Sequence, residues 1–592
     1  MLVVLVVLFA SFYQTFAKVY NNPSALERSL LYDYIVVGAG TAGNVIATRL
    51  TEDPQVSVLL LEAGVSNVDA FNTTVPLLAP TLSVPGSRYD WNYAISPQPG
   101  LSGRSFPYPR GKLLGGSSSV NYMTYSHGSS DDWNRFAQVT EDDGWKWDNM
   151  KRYIYKNEKL VPPTDGHNTT GQFEPRKHGF YGTLRDSLPG FPTPLDERII
   201  RTTKQLPNEF PYIGDTSGGD ILGIGWKLST IANGTRSSSV TDYLNLAIDR
   251  PNLDIVINAH VTKLLNTALS GHIPIFRSVQ FTENEEAQVR TAIAKKEVIL
   301  CAGSFGTPMI LQRSGIGERV ALESLGIETI IDKRSVGRNL SDHVGRTTIY
   351  SVLSNDTFDD ILRSPDKFQV ELSNWTQNKT GPLGAALSNH VGWLRLPQNS
   401  SIFETVPDPA AGLRSSHFEF LFSSYYTGSP IPPSRHFMSV RANLISPTSR
   451  GSVSISSSNP FANPIINPNY LNTSFDIFAL VEAVKTARRF INSDSWIGFV
   501  EEEYGSSEDA KTDAEIEKLI RDTAGSVFHA VGTAAMSSKN ARWGVVDPSL
   551  LVKGANGLRI VDASVLPFVP NAHTQGPVYL LAERAADLIK NK

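Results

Sequence analysis

The stretch YDYIVVGAGTAGNVIATRLTEDPQVSVLLLEAG, residues 32–64, decides the fold. Its apolar run Ile35-Val36-Val37 reads as a strand buried on both faces. Gly38-Ala39-Gly40-Thr41-Ala42-Gly43 is the turn out of that strand, TAGNVIATRL (41–50) has helical spacing, and VSVLLLEAG (56–64) predicts a second strand. In a chain with 45 glycines a lone GxGxxG means little. A strand before it, a helix after it and an acid closing the next strand make it a dinucleotide-binding fingerprint. Gly38 permits the tight turn, Gly40 lets the backbone approach a pyrophosphate, and Gly43 allows close helix packing. The helix start offers unpaired N–H groups to phosphate. Glu62, 19 residues past Gly43, is placed for the ribose hydroxyls.

Working outward, NLDIVINAHVTKLL (252–265), KKEVILCAGS (295–304) and GLRIVDASVLP (557–567) predict further strands, and GPVYLLAERAADLIK (576–590) a closing helix. From Ala70 to Ser239 the chain is rich in Pro, Gly and Ser and reads as loop more than regular structure. Between Arg346 and Ile520, SSHFEFLFSSYY and HFMSVRANLISP suggest an antiparallel sheet. The expected fold is an α/β, Rossmann-like βαβ domain interleaved with an α+β substrate domain. The first takes residues 31–130, 239–342 and 550–592; the second takes 131–238 and 343–549 and carries the antiparallel sheet.

At 592 residues the chain exceeds one small core, so two domains are the expectation. A net charge of −4 with no basic run argues against a nucleic-acid partner. MLVVLVVLFASFYQTFA (1–17) is too short an apolar segment to span a bilayer and ends in small residues. It lacks the usual Lys or Arg, yet reads as a cleaved secretory signal, giving an extracellular chain starting near Lys18 with no membrane partner. Nine Asn-x-Ser/Thr sites (Asn72, Asn168, Asn233, Asn339, Asn355, Asn374, Asn378, Asn399 and Asn472) agree with secretion and a glycoprotein. The single Cys301 permits no internal disulfide, so stability must come from a large core. The histidines are scattered without metal-ligand spacing, and no metal site is expected.

The fingerprint alone does not separate FAD from NAD. GKLLGGSSSVNYM (111–123) and GSFGTPMILQRSGIG (303–317) resemble the two signatures of the glucose-methanol-choline (GMC) oxidoreductases. FHAVGTAAM (528–536), VVDPSLLVKG (545–554), LRIVDASVLP (558–567) and NAHTQGP (571–577) resemble that family's C-terminal block. The likeness runs from Tyr32 to the C-terminus. Within the family, EDPQVSVLLLEAGVS, YDWNY, YPRGKLLGGSSSV and NPFANPIINPNYL look most like fungal aryl-alcohol oxidases. The resemblance implies FAD. Some members bond flavin covalently through a histidine where this chain has Asn121, so a dissociable FAD is expected. Gly116, Ser117 and Ser118 are expected to line the cofactor, and Asp562 to lie near its pyrophosphate or ribityl chain, a simple cap being the alternative.

Oxidising an alcohol removes a hydride from carbon and a proton from oxygen, and the hydroxyl is too weak an acid to ionise unaided. A histidine, with an unperturbed pKa of about 6.5, suits the base's task. The resemblance makes His529 that base, and His573, 44 residues on, the group that orients the substrate hydroxyl and stabilises the developing alkoxide. The helix start after His573 is expected to favour negative charge on the flavin's pyrimidine side. Tyr122, Phe528 and Tyr426 are candidates for an aromatic pocket, although core packing explains Tyr122 and Phe528 as well. The expected activity is oxidation of primary benzylic or allylic alcohols to aldehydes, with O2 reduced to H2O2. In a wood- or litter-decaying fungus that peroxide would feed extracellular peroxidases. A monomer is favoured. The alternatives are a GMC dehydrogenase passing electrons to quinones or oxidising sugars, a cyanohydrin lyase, and last a non-catalytic flavoprotein.

Overall fold

The computed structural model describes residues 18–26, 30–505 and 508–591, so the expected signal at 1–17 lies outside the described residues. The strand Leu31–Val37 sits at the middle of a sheet because Ile35 and Val36 are wholly buried, as are Val58, Leu59 and Leu60 of the neighbouring strand Val58–Leu61. Branched side chains filling both faces suit a parallel sheet covered on each side. Parallel strands run Lys18–Tyr20, Leu253–Val256, Val58–Leu61, Leu31–Val37, Arg290–Leu300, and Leu558–Ile560 pairs with the last. The strand Lys18–Tyr20 extends the sheet upstream of the expected start at residue 31. Strands His260–Ser270 and Ile273–Thr282 continue the sheet antiparallel from Arg290–Leu300. The NLDIVINAHVTKLL segment is therefore two strands, broken at Ile257–Ala259.

The parallel strands end on one side of the sheet. There Gly38 N–H donates to Leu61 O at 2.7 Å and Cys301 N–H to Val37 O at 2.8 Å. The carboxyl ends of an open parallel sheet are where such folds bind ligands. Helix Thr41–Leu50 starts from this edge and packs on the closing helix Gln575–Lys590.

The Pro/Gly/Ser-rich region holds more regular structure than its composition suggests: helices Ser130–Thr140, Trp147–Asn157 and Asp196–Gln205. Ser129 and Asp132 form a reciprocal capping box on the first, and its Trp133 and Phe136 are buried. Short amphipathic helices between loop-forming stretches are easily hidden by average composition.

The second sheet is antiparallel, in the order Val500–Glu503, Val344–Val352, His436–Leu444, Phe418–Ser423, His390–Leu394, Gly223–Trp226. Alternation along Phe418–Ser423 assigns its faces. Phe418, Phe420 and Phe422 are buried in a core shared with Leu480, Val484 and Phe490 of helix Ser474–Ile491. Leu421 and Ser423, on the opposite face, line a cavity between the two sheets. Truncating the fully buried Phe420 to Ala would cost about 3–5 kcal/mol.

Candidate active site

One cavity of about 990 Å³ runs from Gly38 and Glu62 at the parallel-sheet edge to His529 and His573 beneath the antiparallel sheet. Ligand pockets usually measure about 300–1,000 Å³, and this one lies at the top of that range.

At the parallel-sheet end, glycine is required by contact. A Cβ on Gly38 would meet Cys301 O at 2.5 Å, and one on Gly43 would meet Gly38 O at 1.9 Å. Gly116, at φ +52°, would place a Cβ 2.8 Å from Gly40 Cα, so the two glycine loops face each other across the cradle. Glu62 accepts N–H bonds from Ala39 and Gly64 at 2.8 Å each. Burial pushes its carboxyl up to about 7 against the pull of those donors. Each of its oxygens keeps a lone pair for a ribose hydroxyl.

Asp562 lines the cavity, but its carboxylate is occupied by the chain itself: Gly303 N–H at 3.0 Å, the Thr307 hydroxyl at 2.6 Å and Ser564 N–H at 2.8 Å. It caps the turn Ala563–Val565 and ties the start of helix Gly303–Arg313 to the cradle. Ser117 and Ser118 also line the cavity. The Ser118 hydroxyl donates to Gly115 O at 2.7 Å and contacts Ser239, which leaves Ser117 the more available hydroxyl. Asn121 Oδ1 accepts from Arg236 at 2.8 Å and from Met123 N–H at 3.0 Å. The cradle of apposed glycines fits FAD: Gly38, Gly40, Gly43, Gly116 and Ser117 are the groups that would hold its phosphates, and Glu62 the one that would hold its ribose.

At the other end, His529 and His573 stand with ring centroids 4.7 Å apart, nearly perpendicular. Phe528 has φ +64°, a strained conformation for an aromatic residue that turns the chain immediately before His529. Asp342 holds that turn. Its carboxylate accepts His529 N–H at 2.7 Å, the Ser526 hydroxyl at 2.7 Å, the Tyr108 hydroxyl at 2.8 Å, and the Tyr470 hydroxyl. Burial, then repulsion from His573, His343, Arg110 and Arg441, keeps the His529 imidazole well below 6.5. It is therefore neutral, the form able to accept a proton. His573 Nε2 donates to the buried Glu419 at 2.8 Å, and Glu419 also accepts from Asn443 at 2.8 Å.

The walls are mixed in character. Tyr122, Tyr425, Tyr426 and Phe528 all line the cavity, so the three expected aromatics are brought together with a fourth. Among them Tyr122 is the outermost, 43% exposed. Lys227, Arg441, Ser423, Ser439 and Thr427 supply polar groups. Lys227 is buried, donates to Thr124 and Ser229 at 3.1 Å each, and is lowered to about 7 by burial.

The sequence reading named the two histidines but missed Asp342, His343 and Glu419. Glu419 had a signal: it is the one charged residue in the apolar run HFEFLF, and a lone acid there marks a buried partner. Asp342-His343 lay unremarked beside the strand Val344–Val352.

The GMC oxidoreductase sequence profiles match residues 32–345 and 447–582. Pyranose dehydrogenase 3 of Leucoagaricus meleagris is 39% identical over 591 residues, covering 97% of this chain and 95% of that protein. Among solved structures, an Aspergillus oryzae formate oxidase variant aligns with TM-score 0.86 and 31% identity over 95% of this chain and 98% of its own. A fungal aryl-alcohol oxidase aligns with TM-score 0.80 at 24% identity, covering 95% of this chain and 99% of its own, a likeness of fold alone. These likenesses reach the family and not the narrower resemblance to fungal aryl-alcohol oxidases. This chain belongs to the GMC oxidoreductases and is an FAD-dependent oxidoreductase of CH–OH donors.

Proposed function

We propose that the protein dehydrogenates a sugar-like alcohol and passes the electrons to a quinone-type acceptor. The observation that carries this reading is the neutral His529 beside Glu419-bound His573 in a cavity whose lining also includes Lys227, Arg441, Ser423, Ser439 and Thr427. Those groups match a ring bearing several hydroxyls, and the likeness to a pyranose dehydrogenase supports the same class. Bound FAD supplies the hydride acceptor. His529 takes the hydroxyl proton as the carbon gives up its hydride. His573, fixed by Glu419, holds the substrate oxygen in place, and Tyr122 and Phe528 exclude water from the reacting carbon. A dissociable FAD is part of the proposal, because Asn121 lacks a ring nitrogen to bond the flavin; acid precipitation should release the yellow colour to the supernatant.

A second reading, primary benzylic or allylic alcohols with O2 as acceptor and H2O2 as product, is favoured by the four aromatic walls, Tyr122, Tyr425, Tyr426 and Phe528. Peroxide supply to extracellular peroxidases belongs to that reading. Secretion and glycosylation remain part of both, supported by exposure of Asn168, Asn233, Asn355, Asn378, Asn399 and Asn472. Anaerobic mixing of the holoprotein with D-glucose and, separately, 4-methoxybenzyl alcohol tests the choice. Bleaching by the sugar, reversed by benzoquinone and little by air, is the expected result. Bleaching by the benzylic alcohol with rapid recovery in air would select the second reading.

A further inference from the structure

His343 was not part of the sequence reading, yet it makes the only side-chain hydrogen bond found for the His529 ring among the described residues. Its Nδ1 lies 2.9 Å from Nδ1 of His529, and its Nε2 lies 3.0 Å from the Ile445 carbonyl oxygen. A carbonyl oxygen only accepts, so Nε2 of His343 carries a hydrogen. Burial, then repulsion from His573, lowers His343 to about 3. The ring is therefore neutral, with one hydrogen, and its Nδ1 is an acceptor. The hydrogen in the contact between the rings belongs to Nδ1 of His529. Because His529 is neutral too, its Nε2 keeps the lone pair.

We infer that His343 is a positioning residue that selects the Nδ1–H tautomer of His529 and so makes Nε2 the basic nitrogen. The inference rests on the reading of His529 as the base. The alternative tautomer, with hydrogen on Nε2, is the commoner one for a free imidazole in water. It would point an N–H at the substrate and be unable to take a proton there.

The backbone shows how this contact is held. Ser341 and Val531 exchange N–H···O bonds at 3.1 and 2.9 Å, and Val527 N–H donates to His343 O at 3.0 Å. Asp342, between them, accepts the His529 N–H at 2.7 Å. One short segment, 341–343, thus fixes both the main chain and the ring of His529. During oxidation the hydroxyl proton moves to Nε2 of His529, and the resulting imidazolium keeps its Nδ1–H bond to His343.

The test uses full-length, FAD-loaded protein carrying 15N-labelled histidine, with His529 assigned by its loss in His529→Ala. Solid-state NMR of the wild type should show Nδ1 protonated and Nε2 bare. In His343→Leu, which removes the acceptor, the signals should shift toward Nε2–H. The limiting rate of anaerobic flavin reduction should fall about 10–100-fold, less than the ~10²–10⁴ assigned to a base itself. Substrate affinity should stay within about threefold, since His343 acts through His529. His343→Asn, whose Oδ1 again accepts, should restore the tautomer and most of the rate. Nε2–H on wild-type His529, or an unchanged tautomer and rate in His343→Leu, would overturn the inference. Should His343→Leu fail to load FAD, the wild-type and His343→Asn spectra decide. An Nδ1–H tautomer in a protein whose flavin no alcohol bleaches would instead sink the functional reading and leave the tautomer assignment standing.

Discussion

Two of the histidine and carboxylate clusters in this molecule use the same residue types for opposite ends. In the cavity, His529 touches another histidine, His343, and no carboxylate bonds its ring among the described residues. Away from it, the buried His178 lies between two acids, with Nδ1 2.8 Å from Glu158 and Nε2 2.8 Å from Asp215. Against burial, those acids hold His178 well above 6.5, while its hydrogen bond draws Asp215 down to about 2. Nearby Asp186 is pushed well above the usual carboxylate range by burial and by Glu158. One cluster keeps a histidine neutral and open to ligand; the other keeps one charged and enclosed. The difference lies in the partner: a carboxylate stabilises the imidazolium, and a neutral ring does not.

The largest effect should come from His529→Ala. Loss of a positioned base should slow anaerobic flavin reduction by about 10²–10⁴-fold, measured by stopped-flow absorbance, with FAD content near wild type. The matching change in the other cluster, His178→Leu, should act on stability. It strands two buried acids, at a cost of about 3–5 kcal/mol, read by urea unfolding, while the folded fraction still reduces its flavin.

Stability against pH sharpens this contrast. His178 is raised, so its contribution is complete below about pH 6.5 and is lost as pH rises through its folded value. Asp215 is lowered, so its contribution is complete above about pH 4 and is lost as pH falls through about 2. The gap between wild type and His178→Leu should therefore be widest from about pH 4 to 6.5. His529, held low, predicts the reverse for catalysis: a reduction rate flat above about pH 6.5 and falling only in acid. A rising limb well above that pH would mean that His529 is charged like His178.

Smaller effects are expected where a partner is merely weakened. Glu419→Gln keeps an acceptor for His573 Nε2 but removes its charge, and should slow reduction about tenfold, below the ~10²–10⁴-fold range for loss of a positioned base. A change below twofold would show that the Glu419 charge is irrelevant to His573.

Much of this was legible in the sequence. Residues 32–64 announce their own fold, because a βα turn that cradles phosphate leaves glycines at fixed spacing, and here steric contacts at Gly38 and Gly43 enforce two of them. His529 and His573 were legible through their flanking motifs. Their partners were not, since His343 and Glu419 lie 186 and 154 residues away and meet them only through the antiparallel sheet and its entry loop. The helices Ser130–Thr140 and Trp147–Asn157 were hidden for a local reason: each is 11 residues long and set among turn formers. Asp562 lines the cavity and also caps Ala563–Val565, the alternative reading, with three donors of the chain itself converging on it.

The central claim is that a neutral His529 takes the proton as an alcohol gives its hydride to FAD. It is tested most directly by anaerobic stopped-flow reduction of wild type and His529→Ala with D-glucose and 4-methoxybenzyl alcohol. The account predicts that the wild type bleaches with at least one of the two, faster with the sugar, and that the variant is slowed at least about 10²-fold with the same alcohol. Bleaching of His529→Ala at a rate near that of the wild type would contradict it.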